Sequence, residues 1–243
     1  MAKQELNGQK TEEPQPKEQQ PRGQQAKGQR KRQHLIDAAI RVVGRKGVAR
    51  ATIQDVAKES GLSVGLANFY FAGKEELFRA AFQNLAEEYE AVWRKRTEGL
   101  DDPPQILDAM VIAAFDAVVF SQPKAAAWFA FWGEACHGDS SLQAIDRIEK
   151  RCGDEILRQC RNLARRHGVS PTHARQIGLG LGALIEGLWS ASAVPGSSMK
   201  ARTAIQICRD YIAASFAQAI VGQANADKTA AAAAKSRRLA TQS

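Results

Sequence analysis

Two short helix-forming segments joined at one glycine are the feature of this sequence that most limits its possible folds. The stretch "TIQDVAKESGLSVGLANFYF" begins at Thr52, and Thr52 and Asp55 have the spacing of an N-terminal capping box. Gly61 suits the end of the first segment because glycine adopts a positive φ without a Cβ penalty. Ser63 can cap the second segment, and the small Ala57 allows the two helices to cross closely. This spacing predicts a helix-turn-helix.

The second segment, "SVGLANFYF", has few residues suited to burial, and Leu66 is the one that we expect to point inward. A helix that enters the major groove of DNA must keep one face free, so a large apolar stripe is not needed. Gly65 lets the backbone approach a phosphate closely. The residues that we predict to contact DNA are Arg30, Lys31, Thr52, Ser63, Val64, Gly65, Asn68, Tyr70 and Lys74.

Basic residues flank this segment on both sides. The first helix is expected to start at Arg30, so that Arg30, Lys31 and Arg32 crowd its first turn, where the helix dipole disfavours cations. A phosphate between them would explain this placement. Lys74 opens the fourth predicted helix beside backbone N–H groups that also attract anions. The formal net charge of +8 agrees with a polyanionic partner, with a solvated basic surface as the alternative.

A helical period of apolar residues continues through most of the remaining chain, and no segment alternates with the period of a strand. The sequence therefore predicts an all-α protein. Residues 1–29 and 223–243 lack an apolar stripe, and we expect both tails to be disordered. The N-terminal DNA-binding domain is expected at 30–77 and a second helical domain at 78–222. Helices after the turn are expected at 74–96, 104–120, 124–137, 141–166, 171–193 and 199–221.

Enzymatic activity is not expected from this sequence. It has no glycine-rich phosphate loop, no nucleophile elbow and no HExxH pattern, and its four histidines are scattered. Cys136 next to His137 suggests a metal site, but buried free thiols explain the scattered cysteines better, so no metal or cofactor is expected. The polar N-terminus and the interrupted apolar runs predict neither a signal peptide nor a membrane span, which makes a cytoplasmic location the expectation.

Residues 30–77 resemble the DNA-binding domain of TetR-family transcriptional regulators. Asn68 departs from the family pattern, because many members carry a phosphate-binding tyrosine there. The resemblance implies an all-helical homodimer whose C-terminal domain binds a small effector, which usually weakens binding to a palindromic double-stranded operator. The residues that match are Thr52, Ile53, Val56, Ala57, Gly61, Ser63, Gly65, Tyr70, Phe71, Lys74 and Leu77.

Two later stretches, "AAAWFAFWGEACH" and "GLGLGALIEGLWSASAV", resemble the C-terminal domain of BetI-type repressors, the TetR branch associated with choline and glycine betaine synthesis. Aromatic faces attract quaternary ammonium ions such as choline, and a buried carboxylate would balance the charge. The predicted ligand residues are therefore Trp128, Trp132, Trp189 and Glu186. The alternatives are that the tryptophans are core residues, that Glu186 makes a structural hydrogen bond, and that the effector is an unrelated molecule.

Small residues in the predicted helix at 171–193 indicate close helix packing. We expect the glycines at 178, 180, 182 and 187 to help two copies of the chain pair through this helix and the one at 199–221.

An architectural DNA-binding protein that uses its basic tails is the alternative from a different functional class. A preference for one short palindrome that resists salt would distinguish a repressor from such a protein.

Overall fold

The computed structural model describes residues 22–135 and 143–240, and within these ranges the chain forms nine α-helices and no strand. The predicted all-α fold is therefore confirmed. The tail residues 1–21 and 241–243, and the pair Cys136 and His137, lie outside the described residues. The helices are α1 (Arg22–Lys46), α2 (Ile53–Ser60), α3 (Val64–Tyr70), α4 (Lys74–Thr97), α5 (Pro103–Ala114), α6 (Gln122–Ala135), α7 (Gln143–Arg166), α8 (Pro171–Ala193) and α9 (Ala201–Ala240).

Helix α1 begins at Arg22 and not at Arg30, so the expectation of disorder was wrong for residues 22–29. This segment holds three Gln, one Ala, one Lys and one Arg beside two Gly. The first four residue types are good helix formers and can extend an existing helix without burying apolar surface. Arg30 and Lys31 consequently lie well inside the helix. Neither residue therefore lies at the positive end of the helix dipole, where they were predicted, although both side chains are exposed.

Two other helix ends also differ from the predictions. Helix α9 continues to Ala240, through part of the predicted C-terminal tail, because alanine is the strongest helix former. Helix α5 ends at Ala114, before the predicted residue 120. Just beyond it, the Asp116 carboxylate accepts a hydrogen bond from the Val118 N–H at 2.9 Å and forms an ion pair with Arg96. A side chain that bonds nearby backbone in this way competes with helix continuation.

Helix α4 belongs to two hydrophobic cores. Its first half packs with α1, α2 and α3 around the buried Phe78 and Phe82. Its second half contributes Trp93 to a core formed with α5, α7, α8 and α9. The predicted domain boundary at 77–78 therefore falls inside one continuous helix, which is a suitable element for connecting movements at its two ends.

The glycines of α8 have different surroundings. A Cβ on Gly178 would lie 2.8 Å from Leu157 Cδ2, and a Cβ on Gly180 would overlap the Tyr211 hydroxyl. These two glycines allow α7 and α9 of the same chain to approach α8. A Cβ on Gly182 or Gly187 would meet no atom within 4 Å. The expectation that all four glycines serve pairing between chains is therefore wrong for Gly178 and Gly180.

None of the described helices combines the length and the apolar composition needed to cross a membrane.

Candidate DNA-binding surface and ligand cavity

The predicted helix-turn-helix is present with the predicted caps. Thr52 and Asp55 form the complete capping box, with Asp55 N donating to Thr52 Oγ1 at 3.2 Å and Thr52 N donating to Asp55 Oδ2 at 3.1 Å. Gly61 ends α2 with φ 67°, and Ser63 caps α3 by accepting a hydrogen bond from Leu66 N at 3.2 Å. Thr52 and Ser63 thus have a structural role, and both remain exposed.

Ion pairs join α2 to α1 and fix the orientation of the helix-turn-helix. Asp55 pairs with Lys46 at 2.6 Å, and Glu59 pairs with Arg41 at 2.7 Å and with Arg45 at 2.5 Å. Hydrogen bonds from Lys46 and Thr52 lower the pKa of Asp55, and those from Arg45 and Arg41 lower the pKa of Glu59. Both carboxylates therefore stay ionised at neutral pH, and these pairs remain intact.

Helix α3 turns one narrow face towards the protein. Ala67 is its buried residue, whereas Leu66 is only half-buried, so the expectation that Leu66 points inward was wrong. Gly65, Asn68 and Phe69 are exposed. Phe69 has 78 % of its surface accessible to solvent. Phe69 is absent from the predicted DNA contacts, because a large apolar residue on a helix is normally expected to face a core.

The remaining predicted DNA contacts belong to α1, α3 and α4. Tyr70 is half-buried, and its hydroxyl lies near α1, since a Cβ on Gly28 would be 3.5 Å away from it. Lys74 is also half-buried; its ammonium group donates to the Ala49 carbonyl at 3.3 Å and lies 5.4 Å from the centre of the Phe78 ring. Val64 is half-buried at the start of α3. The extended α1 thus places Arg30 and Lys31 on the helix that contacts the end of α3.

A cavity of about 170 Å³ lies between α4, α6, α7 and α8. An apolar cavity of about 150 Å³ is large enough for benzene, so this one has room for a small organic molecule. All four predicted ligand residues line it: Trp128, Trp132, Glu186 and Trp189.

Aromatic rings form adjoining walls of the cavity. The rings of Trp128 and Trp189 are 6.3 Å apart at an angle of 67°, and Tyr89 lies 6.4 Å from Trp189. The Trp189 indole N–H donates to the Ala114 carbonyl at 2.9 Å, which fixes the orientation of that ring. Trp132 is 42 % exposed and therefore stands at the mouth of the cavity.

Two carboxylates line the cavity. Glu186 is exposed, so the expectation of a buried acid was wrong for this residue in a single chain. Glu88, half-buried on α4, was not predicted; its partner is Lys124 of α6, at 2.5 Å. Tyr89 was also missed, and burial together with the nearby Cys152 raises its pKa, so its hydroxyl stays neutral. On sequence alone, Glu88 and Tyr89 follow the ordinary pattern of a long amphipathic helix.

Helix α6 connects the cavity to the DNA-binding domain. Trp128 contacts Phe82 edge to face at 5.1 Å, and Phe131 stacks on the same Phe82 ring at 5.3 Å. At the contact between α1 and α6, a Cβ on Gly44 would lie 2.5 Å from the Pro123 carbonyl oxygen, so the two backbones approach closely. A ligand that moves Trp128 therefore acts on a helix packed directly against α1 and α4.

Comparison with family models gives two matches that together cover most of the described chain. Residues 35–81 match the model of bacterial regulatory proteins of the tetR family, and residues 103–217 match that of the C-terminal domain of BetI-type transcriptional repressors. The first match contains the helix-turn-helix, and the second contains α5 to α8 and the first part of α9, up to residue 217.

Similar proteins agree with these matches. The HTH-type transcriptional regulator BetI of Burkholderia cenocepacia is 32 % identical over 75 % of this chain and 92 % of its own. The structure of a transcriptional regulator from Pseudomonas aeruginosa PAO1 is 26 % identical, with TM-score 0.64, over 79 % of this chain and 93 % of its own. A regulator from Saccharomonospora viridis, solved in complex with choline, has the same fold at 18 % identity, with TM-score 0.64 and coverage of 76 % and 96 %.

Proposed function

Since the chain belongs to the TetR family of bacterial regulatory proteins, in the branch with a BetI-type C-terminal domain, we propose that it is a dimeric repressor released from its operator by a small quaternary ammonium ion such as choline. The observation that carries the proposal is the position of α6. Ala127 and Phe131 of this helix belong to the core of the DNA-binding domain, and the neighbouring Trp128 and Trp132 line the cavity.

The DNA contacts follow from the exposed face of α3 and its surroundings. We assign a base contact to Asn68, which is exposed on that face, because asparagine can read adenine, with a bond to a phosphate as its alternative role. Gly65 is exposed as well and allows the backbone to approach a phosphate closely. Phosphate contacts come from cations and hydroxyl groups around the helix, which set its depth in the groove. These groups belong to Arg30, Lys31, Thr52, Ser63, Tyr70 and Lys74, with Val64 beside them at the start of α3.

Replacing Lys74 by alanine tests the DNA-binding part of the proposal. We expect Lys74→Ala to weaken binding to all DNA sequences and to lower the slope of log K against log salt by about 0.9, the value for one lost phosphate contact. The affinity is measured at several salt concentrations. Lys95→Ala is the matched control, because Lys95 is an exposed lysine in the last turn of the same helix. Equal slopes for the two variants would exclude a phosphate contact by Lys74.

A dimer is required if both half-sites of a palindromic operator are to be bound. The two copies of α3 must then lie about 34–36 Å apart to enter successive major grooves. Exposed apolar side chains on α8 and α9, Leu179 and Ile207, support pairing through these helices, as does the open space at Gly187.

We expect light scattering to give twice the chain mass of 26.5 kDa at micromolar concentration. Leu179→Glu places a charge on the proposed interface, so it should shift the protein towards a monomer and weaken operator binding. Val118→Glu is the control, because Val118 is similarly exposed but lies between α5 and α6. A wild-type monomer that binds the operator with full affinity would contradict the proposed dimer.

The effector is proposed from the chemistry of the cavity. The faces of Trp128, Trp132 and Trp189 attract a quaternary ammonium group, each contributing about 0.5–2 kcal/mol. Glu186 at the rim and Glu88 in the wall add negative charge, although Lys124 already balances Glu88. The choline complex of the Saccharomonospora viridis regulator, which has the same fold, supports this choice of ligand.

Release from DNA is proposed to occur by a shift between two conformations of the dimer. Choline would favour a position of α6 that moves α1 and α4, and with them α3, away from the spacing of successive grooves. The ligand can shift the equilibrium only by its difference in affinity for the two states. Linkage then requires that operator DNA weaken choline binding by the same factor by which choline weakens operator binding.

A further inference from the structure

Phe69 is the most exposed large hydrophobic side chain among the described residues. Successive residues of an α-helix are separated by 100°, so Gly65 and Phe69 lie one turn apart on the face of α3 opposite the buried Ala67. Gly65 has no side chain. Phe69 is therefore the large group that extends from the outward face of the proposed recognition helix.

Local contacts hold the ring in this outward position without burying it. The Phe69 ring meets the Tyr70 ring edge to face, with centres 5.2 Å apart and an angle of 83°. Because 78 % of Phe69 stays exposed, its apolar surface gains most of its burial only when a partner covers α3. Phe69 therefore contributes little to the stability of the isolated domain.

The surroundings of Phe69 indicate which part of DNA covers it. Lys74 follows α3 in the chain, and Arg30 and Lys31 belong to α1, which contacts α3. These cations are the groups suited to phosphates. A phenyl ring cannot bond a phosphate or a polar base edge. In the major groove, the apolar group on a base edge is the C5-methyl of thymine, and phenylalanine is among the side chains that contact it.

We propose that Phe69 determines operator specificity by packing its ring against the 5-methyl group of one thymine in each half-site. This inference rests on the proposed function, because it requires α3 to enter the major groove. It deepens that function by specifying what Phe69 reads: a thymine, recognised by an apolar contact and not by a hydrogen bond.

The test replaces thymine by deoxyuridine, which differs only in lacking the 5-methyl group. The full-length protein first selects its operator from a random library of duplexes. Each thymine of that operator is then replaced singly, and the affinity is measured for the wild type, Phe69→Ala and Phe69→Leu. We expect one position in each half-site to lose about fourfold in wild-type affinity, the effect of exposing one buried methylene-sized group. The same replacement should have little effect on Phe69→Ala and an intermediate effect on Phe69→Leu.

Other thymines of the operator serve as internal controls, because their replacement should affect all three proteins equally. The melting temperature should be the same for the wild type and Phe69→Ala, which separates a lost contact from a damaged fold. Uniform tolerance of deoxyuridine by the wild type would overturn the proposal, as would an equal penalty in Phe69→Ala. If the full-length protein selects no sequence at all, the proposed function fails as well, and that result is distinct from selection of an operator that is insensitive to the methyl group.

Discussion

Choline should bind the purified protein at least about tenfold more tightly than its neutral isostere, the alcohol in which carbon replaces the quaternary nitrogen. The two ligands have nearly the same shape and apolar surface, so burial in the cavity stabilises both equally. They differ in charge, and the faces of Trp128 and Trp189 attract only the charged ligand. Such contacts contribute about 0.5–2 kcal/mol each, and two of them at about 1 kcal/mol already exceed the 1.4 kcal/mol that corresponds to a factor of ten. Isothermal titration calorimetry with both ligands measures the ratio directly.

Variants at the mouth of the cavity distinguish the role of the rings from that of the charge. Glu186→Gln keeps the shape of the side chain and removes its charge, so choline should bind several-fold more weakly while binding of the alcohol is unchanged. Trp132→Leu removes a ring that is 42 % exposed. This variant should also weaken the binding of choline more than the binding of the alcohol. Because Glu186 and Trp132 are both exposed, neither variant should lower the melting temperature greatly.

Equal affinity for choline and for the neutral alcohol would contradict the proposal that the effector is a cation. The tryptophans would then be core residues that happen to surround a cavity, and the protein would sense a different small molecule. The internal pair of Glu88 with Lys124 would in that case leave the cavity wall close to neutral, which suits an uncharged ligand.

Gly44→Ala should destabilise the protein and disturb the communication between effector and operator. The new Cβ would lie 2.5 Å from the Pro123 carbonyl oxygen and 3.5 Å from Ala127 N. Both are backbone atoms at the start of α6, which cannot move aside as a flexible side chain would. Overpacking of this kind costs about 1–3 kcal/mol, and for a chain of this size each kcal/mol lowers Tm by about 2–4 °C.

Thermal unfolding measures this effect, and Gly222→Ala is the matched control. Gly222 is an exposed glycine inside α9, and a Cβ there would meet no atom within 4 Å. Alanine is the better helix former by about 1 kcal/mol, so the control should be as stable as the wild type or slightly more stable. A Gly44→Ala protein with unchanged Tm and unchanged release by choline would show that the contact between α1 and α6 is not needed for either property.

Local sequence rules were sufficient for the helix-turn-helix. Thr52, Asp55, Gly61 and Ser63 lie where caps and a left-handed turn are needed, and the structure has each of these features. Such features depend on residues within about one turn of the helix, so they can be recognised without knowledge of the rest of the fold. The same rules placed the start of α8 correctly, at Ser170 followed by Pro171.

The exposure of individual side chains could not be predicted from such local rules. Glu186 was expected to be buried because its neighbours on α8 are apolar, yet it is exposed. Ala67, and not Leu66, is the buried residue of α3. Both outcomes depend on the rotation of a helix against its neighbours, and a helix with apolar residues on several faces does not determine that rotation by its own sequence.

The sequence by itself determined the all-α class, the helix-turn-helix and the aromatic residues that line the cavity, since periodicity, caps and the spacing of Trp128 and Trp132 are local properties of the chain. Only the tertiary structure decided that Glu88 and Tyr89 of α4 complete the cavity, that Gly44 lets α6 lie against α1, and that Phe69 is left uncovered. These features join residues far apart in the chain, and the geometry of packing between helices determines which of them meet.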